Sequence, residues 1–189
     1  MQVNEVVSFE ENAESIGHGG YGRVFLLRNH TPQAVIKLID CDEAASAEIL
    51  RREYETLEKL SHPNVVSYIG LREVQNDLGR KTGILMEYCP RGALRKILLD
   101  PRYIYSMNTV FCWIEQLFDA VDYLKRNDTI HRDIKPENIF VTEDFALKLG
   151  DFGSNKISEM TCAGTFVGTF RYMSPPQSEE MARSSTMEV

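Results

Sequence analysis

The chain has 189 residues, 43% of them hydrophobic, and a formal net charge of −7. That is enough apolar material for one domain, or for a small and a medium lobe, with a real core. The acidic balance excludes the basic footprint of a nucleic-acid partner, and no window reaches the ~18 apolar residues of a membrane span, so no membrane insertion is expected.

The opening stretch "MQVNEVVSFEENAES" has neither the basic start nor the apolar run of a secretory signal. The four cysteines, Cys41, Cys89, Cys112 and Cys162, form no CxxC pair, and their spacings match no disulfide framework. Reduced thiols and a cytoplasmic location are the expectation.

Taken in chain order, "SFEENAESIG", "GRVFLLRN" and "QAVIKLID" read as short strands separated by Gly, Asn, His and Pro. Between the first two lies "GHGGYG", in which Gly17, Gly19 and Gly22 fit G-x-G-x-x-G. Glycines there let backbone N–H groups approach a phosphate with no side chain intervening. A dinucleotide fold would place a helix directly after them; here a strand follows, so the glycines join two strands of a hairpin. From about Asp42 to Leu60 the period changes to helical, with Leu50, Glu53, Leu57 and Leu60 on one stripe. Glu53 therefore faces the interior, where a carboxylate is costly unless paired. Lys37, in the apolar strand "AVIKLI", is its natural partner.

Pro63 breaks that helix, "SHPNVVSYIG" starts a strand, and "TGILMEYC" is a further strand ended by Pro90. A second helix is predicted over Asn108 to Lys125, with Val110, Phe111, Ile114, Leu117, Phe118, Val121 and Leu124 on its apolar face. The loop "HRDIKPEN" follows, then the short strands "NIFVT" and "ALKLG" and the tripeptide "DFG". Asp133, Lys135 and Asn138 place a base, a cation and a metal-binding amide in one loop. Asp151, at the end of a strand, is a plausible further Mg²⁺ ligand. The order is a strand-rich half with one helix, then a more helical half.

These elements in this order resemble a eukaryotic protein kinase: a Gly-rich loop, a strand Lys, a helix Glu, H-R-D-x-K-x-x-N and D-F-G. The resemblance runs from Phe9 to Pro175, nearly the whole chain. It implies an α+β, two-lobed fold: an N-terminal antiparallel sheet lobe with one helix, about 9–88, and a helical lobe, about 89–176. Residues 177–189 would form a polar, disordered tail. It further implies ATP and Mg²⁺ as cofactors. Gly17, Gly19 and Gly22 would cover the phosphates, and Lys37, paired to Glu53, would bind them. Val24, Val35 and Phe140 would sandwich adenine. Met86 would sit at the back of the pocket, and the backbone of Glu87 and Cys89 would bond the base. Asp133 would take the proton of the acceptor hydroxyl, Lys135 would neutralise the transferring group, and Asn138 and Asp151 would hold Mg²⁺.

Lys135 in "DIKPEN" resembles the serine/threonine class. Thr161 and Thr165 resemble activating phosphorylation sites, read through Arg132. The spacing of "DPRYIYSMNTVFCWIEQ" is similar to that of MAP kinase kinase kinases such as the TGF-β-activated kinase. Implied partners are a protein substrate and upstream and downstream signalling kinases. Two departures stand out. Val35 occupies a position where Ala is common, which narrows the adenine slot. Ser174-Pro175-Pro176 replaces the Ala/Ser-Pro-Glu phrase, which leads to the expectation of an incomplete helical lobe and impaired activity. A non-catalytic, kinase-like binding module is the alternative reading.

Overall fold

The computed structural model describes residues 6–8, 13–19, 22–38, 53–76, 79–152, 172 and 175. Six strands form one sheet in the order β1-β5-β6-β4-β3-β2: β1 Val6–Ser8, β2 Ala13–Gly19, β3 Gly22–Leu27, β4 Ala34–Leu38, β5 Tyr68–Asn76 and β6 Gly79–Glu87. Helix α1 is described over residues 53–57. The second half holds α2 Leu94–Leu99, α3 Met107–Arg126 and a small hairpin of β7 Ile139–Val141 with β8 Leu147–Leu149. The arrangement is the expected α+β one, an antiparallel sheet with one helix followed by a more helical part. The sheet gains β1, which runs parallel to β5 with Val7 opposite Val74.

Two apolar clusters hold the fold. One lies within the sheet and includes Phe25, Ile36, Leu38, Val74 and Leu85. The other joins the sheet to the helical half and includes Leu57, Val65, Ile84, Ile97, Trp113 and Phe152. Every residue of β4 is buried because it is central, with β3 on one side and β6 on the other. Its continuous apolar run is what such a position requires.

Three elements differ from the sequence reading. The β5–β6 hairpin is far longer than expected, since its outer part is the polar stretch around Asn76 and Gly79, which has no apolar alternation. Helix α2 was not expected; it is a short helix that buries only Leu94 and Ile97. Helix α3 runs one residue further at each end than predicted, capped by Ser106, whose side chain accepts from the Thr109 N–H.

The packing face of α3 is also turned from the predicted one. Trp113, Ala120 and Leu124 are buried and Leu117 packs beside them. Phe111, Ile114, Phe118 and Val121 are exposed, Phe118 at 71%. The helix carries two adjacent apolar stripes, and polar contacts select between them. The Trp113 indole donates to the Phe145 carbonyl at 2.8 Å, and the Gln116 Oε1 accepts from the Leu147 N–H at 2.7 Å.

The segment after α1 ties the sheet to β8. Val66 N–H donates to Leu149 O and Leu149 N–H to Asn64 O, and the Asn64 side chain donates to Leu147 O at 2.8 Å. Asn64 is buried. Asn64→Ala should leave the Leu147 carbonyl without this donor and lower stability by about 1–3 kcal/mol. The check is the urea midpoint, which should fall at an unchanged m-value.

Candidate functional site

Lys37 sits mid-strand on β4, opposite Val24 of β3 and Ile84 of β6. Its ammonium is buried and touches two carboxylates. Nζ donates to both Glu53 oxygens at 2.9 and 3.0 Å and to Asp151 Oδ1 at 2.8 Å. Glu53 is only 2% exposed, so its charge is withdrawn from water and rests on this partner. Burial alone would push the Lys37 ammonium down; the charges and hydrogen bonds of Glu53 and Asp151 more than reverse this and hold it above its ordinary range. Burial pushes Asp151 up, and Lys37, followed by His131 and Lys135, outweighs it and holds the carboxyl below the usual range.

The loop 131–138 supplies the second group. Asp133 is buried, and its Oδ2 accepts from Lys135 Nζ at 2.7 Å and from the Asn138 amide at 2.8 Å. The same amide also donates to the Asp133 carbonyl. Asn138 N–H bonds Lys135 O, and Gly150 N–H bonds Asn138 O, so the loop is fixed to the segment that carries Asp151. Arg132 and Asp151 adopt φ of 65° and 60°. Left-handed backbone at non-glycine residues costs on the order of 1 kcal/mol or more and persists where the surroundings over-determine it.

His131 is a central residue to which the sequence reading gave no role. Its Nε2 bonds the Gly150 carbonyl at 2.8 Å and its Nδ1 accepts from the Asp133 N–H at 3.3 Å. A carbonyl can only accept, so Nε2 carries the proton and the ring is neutral. Burial holds its pKa below the ordinary value. The ring also lies 4.7 Å from that of Phe152, which is buried in the core. The adjacency of an imidazole to the Arg-Asp pair, and of Phe to Asp151, was the available signal.

The remaining predicted residues lie on β2, β3, β4, β6 and β7 and just after β6. Gly17 and Gly19 lie on β2 and Gly22 opens β3, with Gly19 opposite Gly22. Val24 is half-buried, Val35 is buried, and Val35 pairs with Met86. Phe140, on β7, bridges to Ala93. Glu87 ends β6, and its carboxylate accepts from the Ser67 N–H and from Lys148 Nζ at 2.7 Å. Cys89 lies two residues on; burial, then Glu87, pushes its thiol up to about 12, which disfavours the thiolate. Thr161 and Thr165 lie outside the described residues. Asn138 and Asp151 offer an amide and a carboxylate oxygen, a hard donor set suited to Mg²⁺. Among the described residues no helix is long and apolar enough to cross a membrane.

Comparison with known proteins bears on the whole arrangement. The model of the family described as "Protein kinase domain" matches residues 10–187. A protein of Dictyostelium discoideum named as a probable serine/threonine-protein kinase is 35% identical, over 93% of this chain and 36% of its own length. The mouse serine/threonine-protein kinase Nek3 is 31% identical, over 92% and 34%. The chicken inhibitor of nuclear factor kappa-B kinase subunit alpha is 31% identical, over 94% and 25%. The chain thus spans between a quarter and about a third of the length of these relatives.

Acid should loosen this site. His131 is depressed in the folded chain, so the unfolded chain takes up that proton first, and folded stability falls as pH drops below the imidazole's ordinary value of 6.5. Asp151, also depressed, adds a loss at lower pH, as pH falls from its ordinary value of 3.8 toward the folded pKa. Glu53, which burial holds above its ordinary value, acts in the opposite sense, so the His131 part is read directly: its imidazole, followed by NMR, should stay neutral further into acid than a free imidazole, with the urea midpoint moving over the same range. A flat midpoint with an ordinary imidazole titration would contradict this.

Proposed function

This chain belongs to the protein kinase family, and we propose that it transfers the γ-phosphoryl group of ATP to a serine or threonine hydroxyl of a protein substrate. The observation that carries the reading is the buried Lys37 ammonium held between Glu53 and Asp151, with Asp133, Lys135 and Asn138 on the adjoining loop. A fixed cation flanked by acids serves phosphoryl transfer, which needs positioning and charge stabilisation more than covalent chemistry.

In this reading the nucleotide lies under the β2–β3 hairpin, its adenine between Val24, Val35 and Phe140 and against the backbone of Glu87 and Cys89, with Met86 behind. Gly17, Gly19 and Gly22 let the hairpin backbone close on the phosphates. Lys37 binds the α- and β-phosphates. Asp133 orients the acceptor hydroxyl and takes its proton as the new P–O bond forms and the bond to the β-phosphate oxygen breaks. Lys135, 2.7 Å from Asp133, lies where charge gathers on the transferring group. Asn138 and Asp151 would hold Mg²⁺, which when bound offsets phosphate charge.

Serine/threonine acceptors are supported by Lys135 and by the names of the relatives above. We further infer a cytoplasmic place in a signalling cascade, with Thr161 and Thr165 as regulatory phosphorylation sites read by Arg132; the free thiols Cys89 and Cys112 suit a reducing compartment. A finer placement near the MAP kinase kinase kinases rests on the 100–116 spacing alone, and the relatives above carry other names. A non-catalytic, kinase-like binding module would keep the ion triad for its structural role and differ in transferring no phosphate.

The test pairs binding with chemistry. Mg²⁺-ATP should raise the melting temperature of the chain, and Asp151→Asn should remove that rise. Asp133→Asn should keep the rise and cut phosphate transfer to a protein acceptor by about 100-fold or more, the usual contribution of a positioned base. No rise with nucleotide in the native sequence would sink the proposal.

A further inference from the structure

The acceptor side of the site carries an arrangement that speaks to substrate choice. Glu137 lies between Pro136 and Asn138 on the loop that bears Asp133. One of its carboxylate oxygens, Oε2, is buried, with no hydrogen-bond partner. The other, Oε1, is taken by Arg95 Nη1 at 2.9 Å. A cationic residue on an incoming segment would have to displace Arg95 to reach this carboxylate.

Arg95 is set there by its own backbone, whose N–H donates to the Pro136 carbonyl at 3.0 Å. The first turn of α2 is thereby fixed against the loop. The Arg95 side chain remains 51% exposed after making its ion pair, so its fork carries further N–H donors toward solvent. Lys96 is exposed beside it, its ammonium over Gly92, where an added Cβ would lie 3.7 Å away.

Glu137 offsets one of these two charges, and the other carboxylates near by are paired elsewhere, which leaves Lys96 and the outer donors of Arg95 facing solvent. Glu143 pairs with Arg91, Asp100 with Arg102, and Asp133 with Lys135. Next to the acceptor loop of a chain with net charge −7 stands a cationic edge.

We propose that this edge selects acceptor segments bearing an anionic residue, a carboxylate or a phosphate, within a few residues of the hydroxyl, with Arg95 and Lys96 as the specificity-determining side chains. Arg95 is joined to the acceptor loop at Pro136 and Glu137, three and four positions from Asp133, and an extended segment bound along that loop would advance about 3.3 Å per residue. This inference rests on the phosphotransfer reading for the word acceptor, and on Arg95, Lys96 and Glu137 for the charge preference.

The experiment uses the full 189-residue chain and three labelled peptides with one central serine, flanked by Glu, by phosphoserine or by Lys. Anisotropy titration gives affinity and a parallel assay gives phosphate transfer. The Glu and phosphoserine peptides should bind about fivefold to tenfold tighter than the Lys peptide, the scale of one or two exposed charge contacts. Their difference tells which anion the edge prefers. Arg95→Glu with Lys96→Glu should reverse the order, and the milder Arg95→Gln with Lys96→Gln should level it, both with an unchanged nucleotide-dependent melt. Equal or tighter binding of the Lys peptide by the native sequence overturns the proposal, as does a preference that survives both double variants. Absence of transfer to every peptide, with the binding preference intact, counts against the phosphotransfer reading and leaves the anion preference standing.

Discussion

The site depends on one ammonium group. Lys37 stands on the central strand of the sheet, Glu53 on the helix that follows it and Asp151 beyond the last strand of the helical half, and all three meet within 3 Å. None of these charges is cheap to bury alone. An isolated charge in the interior costs several kcal/mol, and removing one partner of such a set strands the others. The ion triad therefore fixes the pose of α1 on the sheet and joins the two halves of the molecule at one point, where two opposite charges compete for the same cation.

Strand β8 carries that constraint into the rest of the fold. It pairs with β7 on one side, bridges to Val65 on the other, accepts a hydrogen bond from the Asn64 side chain and donates one to Gln116 Oε1. Gly150 follows directly, and a Cβ there would lie 2.8 Å from Val66 Cγ2 and 2.9 Å from the Phe140 ring. Only glycine lets the chain turn so closely under the sheet. The strained φ of Asp151 comes next, and His131 clamps the same point from the opposite side through the Gly150 carbonyl. The carboxylate that meets Lys37 is thus positioned by backbone bonds and close packing, and its own ion pair is one among several restraints.

What could be read from the sequence divides along physical lines. The Lys37–Glu53 pair was legible because helical periodicity places Glu53 inside and a buried carboxylate requires a partner; Asp133, Asn138 and Asp151 were singled out by their spacing, and the structure sets Asn138 on Asp133 and Asp151 on Lys37. The α3 face was misassigned because Phe111 and Phe118 are as apolar as Trp113. The choice between stripes is made by an indole N–H and a glutamine, both reaching the β7–β8 hairpin, and periodicity does not register such bonds. The β5–β6 hairpin was under-read because its outer part is polar and is held by backbone pairing. His131 was passed over because its role depends on a carbonyl that lies 19 positions away.

The same logic explains why the buried and exposed charges of this site do different work. Inside, Lys37, Glu53 and Asp151 are locked together, so a phosphate oxygen arriving at Lys37 must share the ammonium with Asp151 or release it. A cation meeting Asp151 favours that release, because the carboxylate exchanges one positive partner for another. Under the function proposed above, an anion at Lys37 and a cation at Asp151 would therefore help each other bind, while Glu53 would keep the ammonium in place through the exchange. At the rim, Arg95 and Glu137 are half-exposed, and their pairing sets which charges face outward more than it stabilises the fold. Under the two proposals above, buried charge would fix the chemistry and exposed charge would discriminate among what approaches.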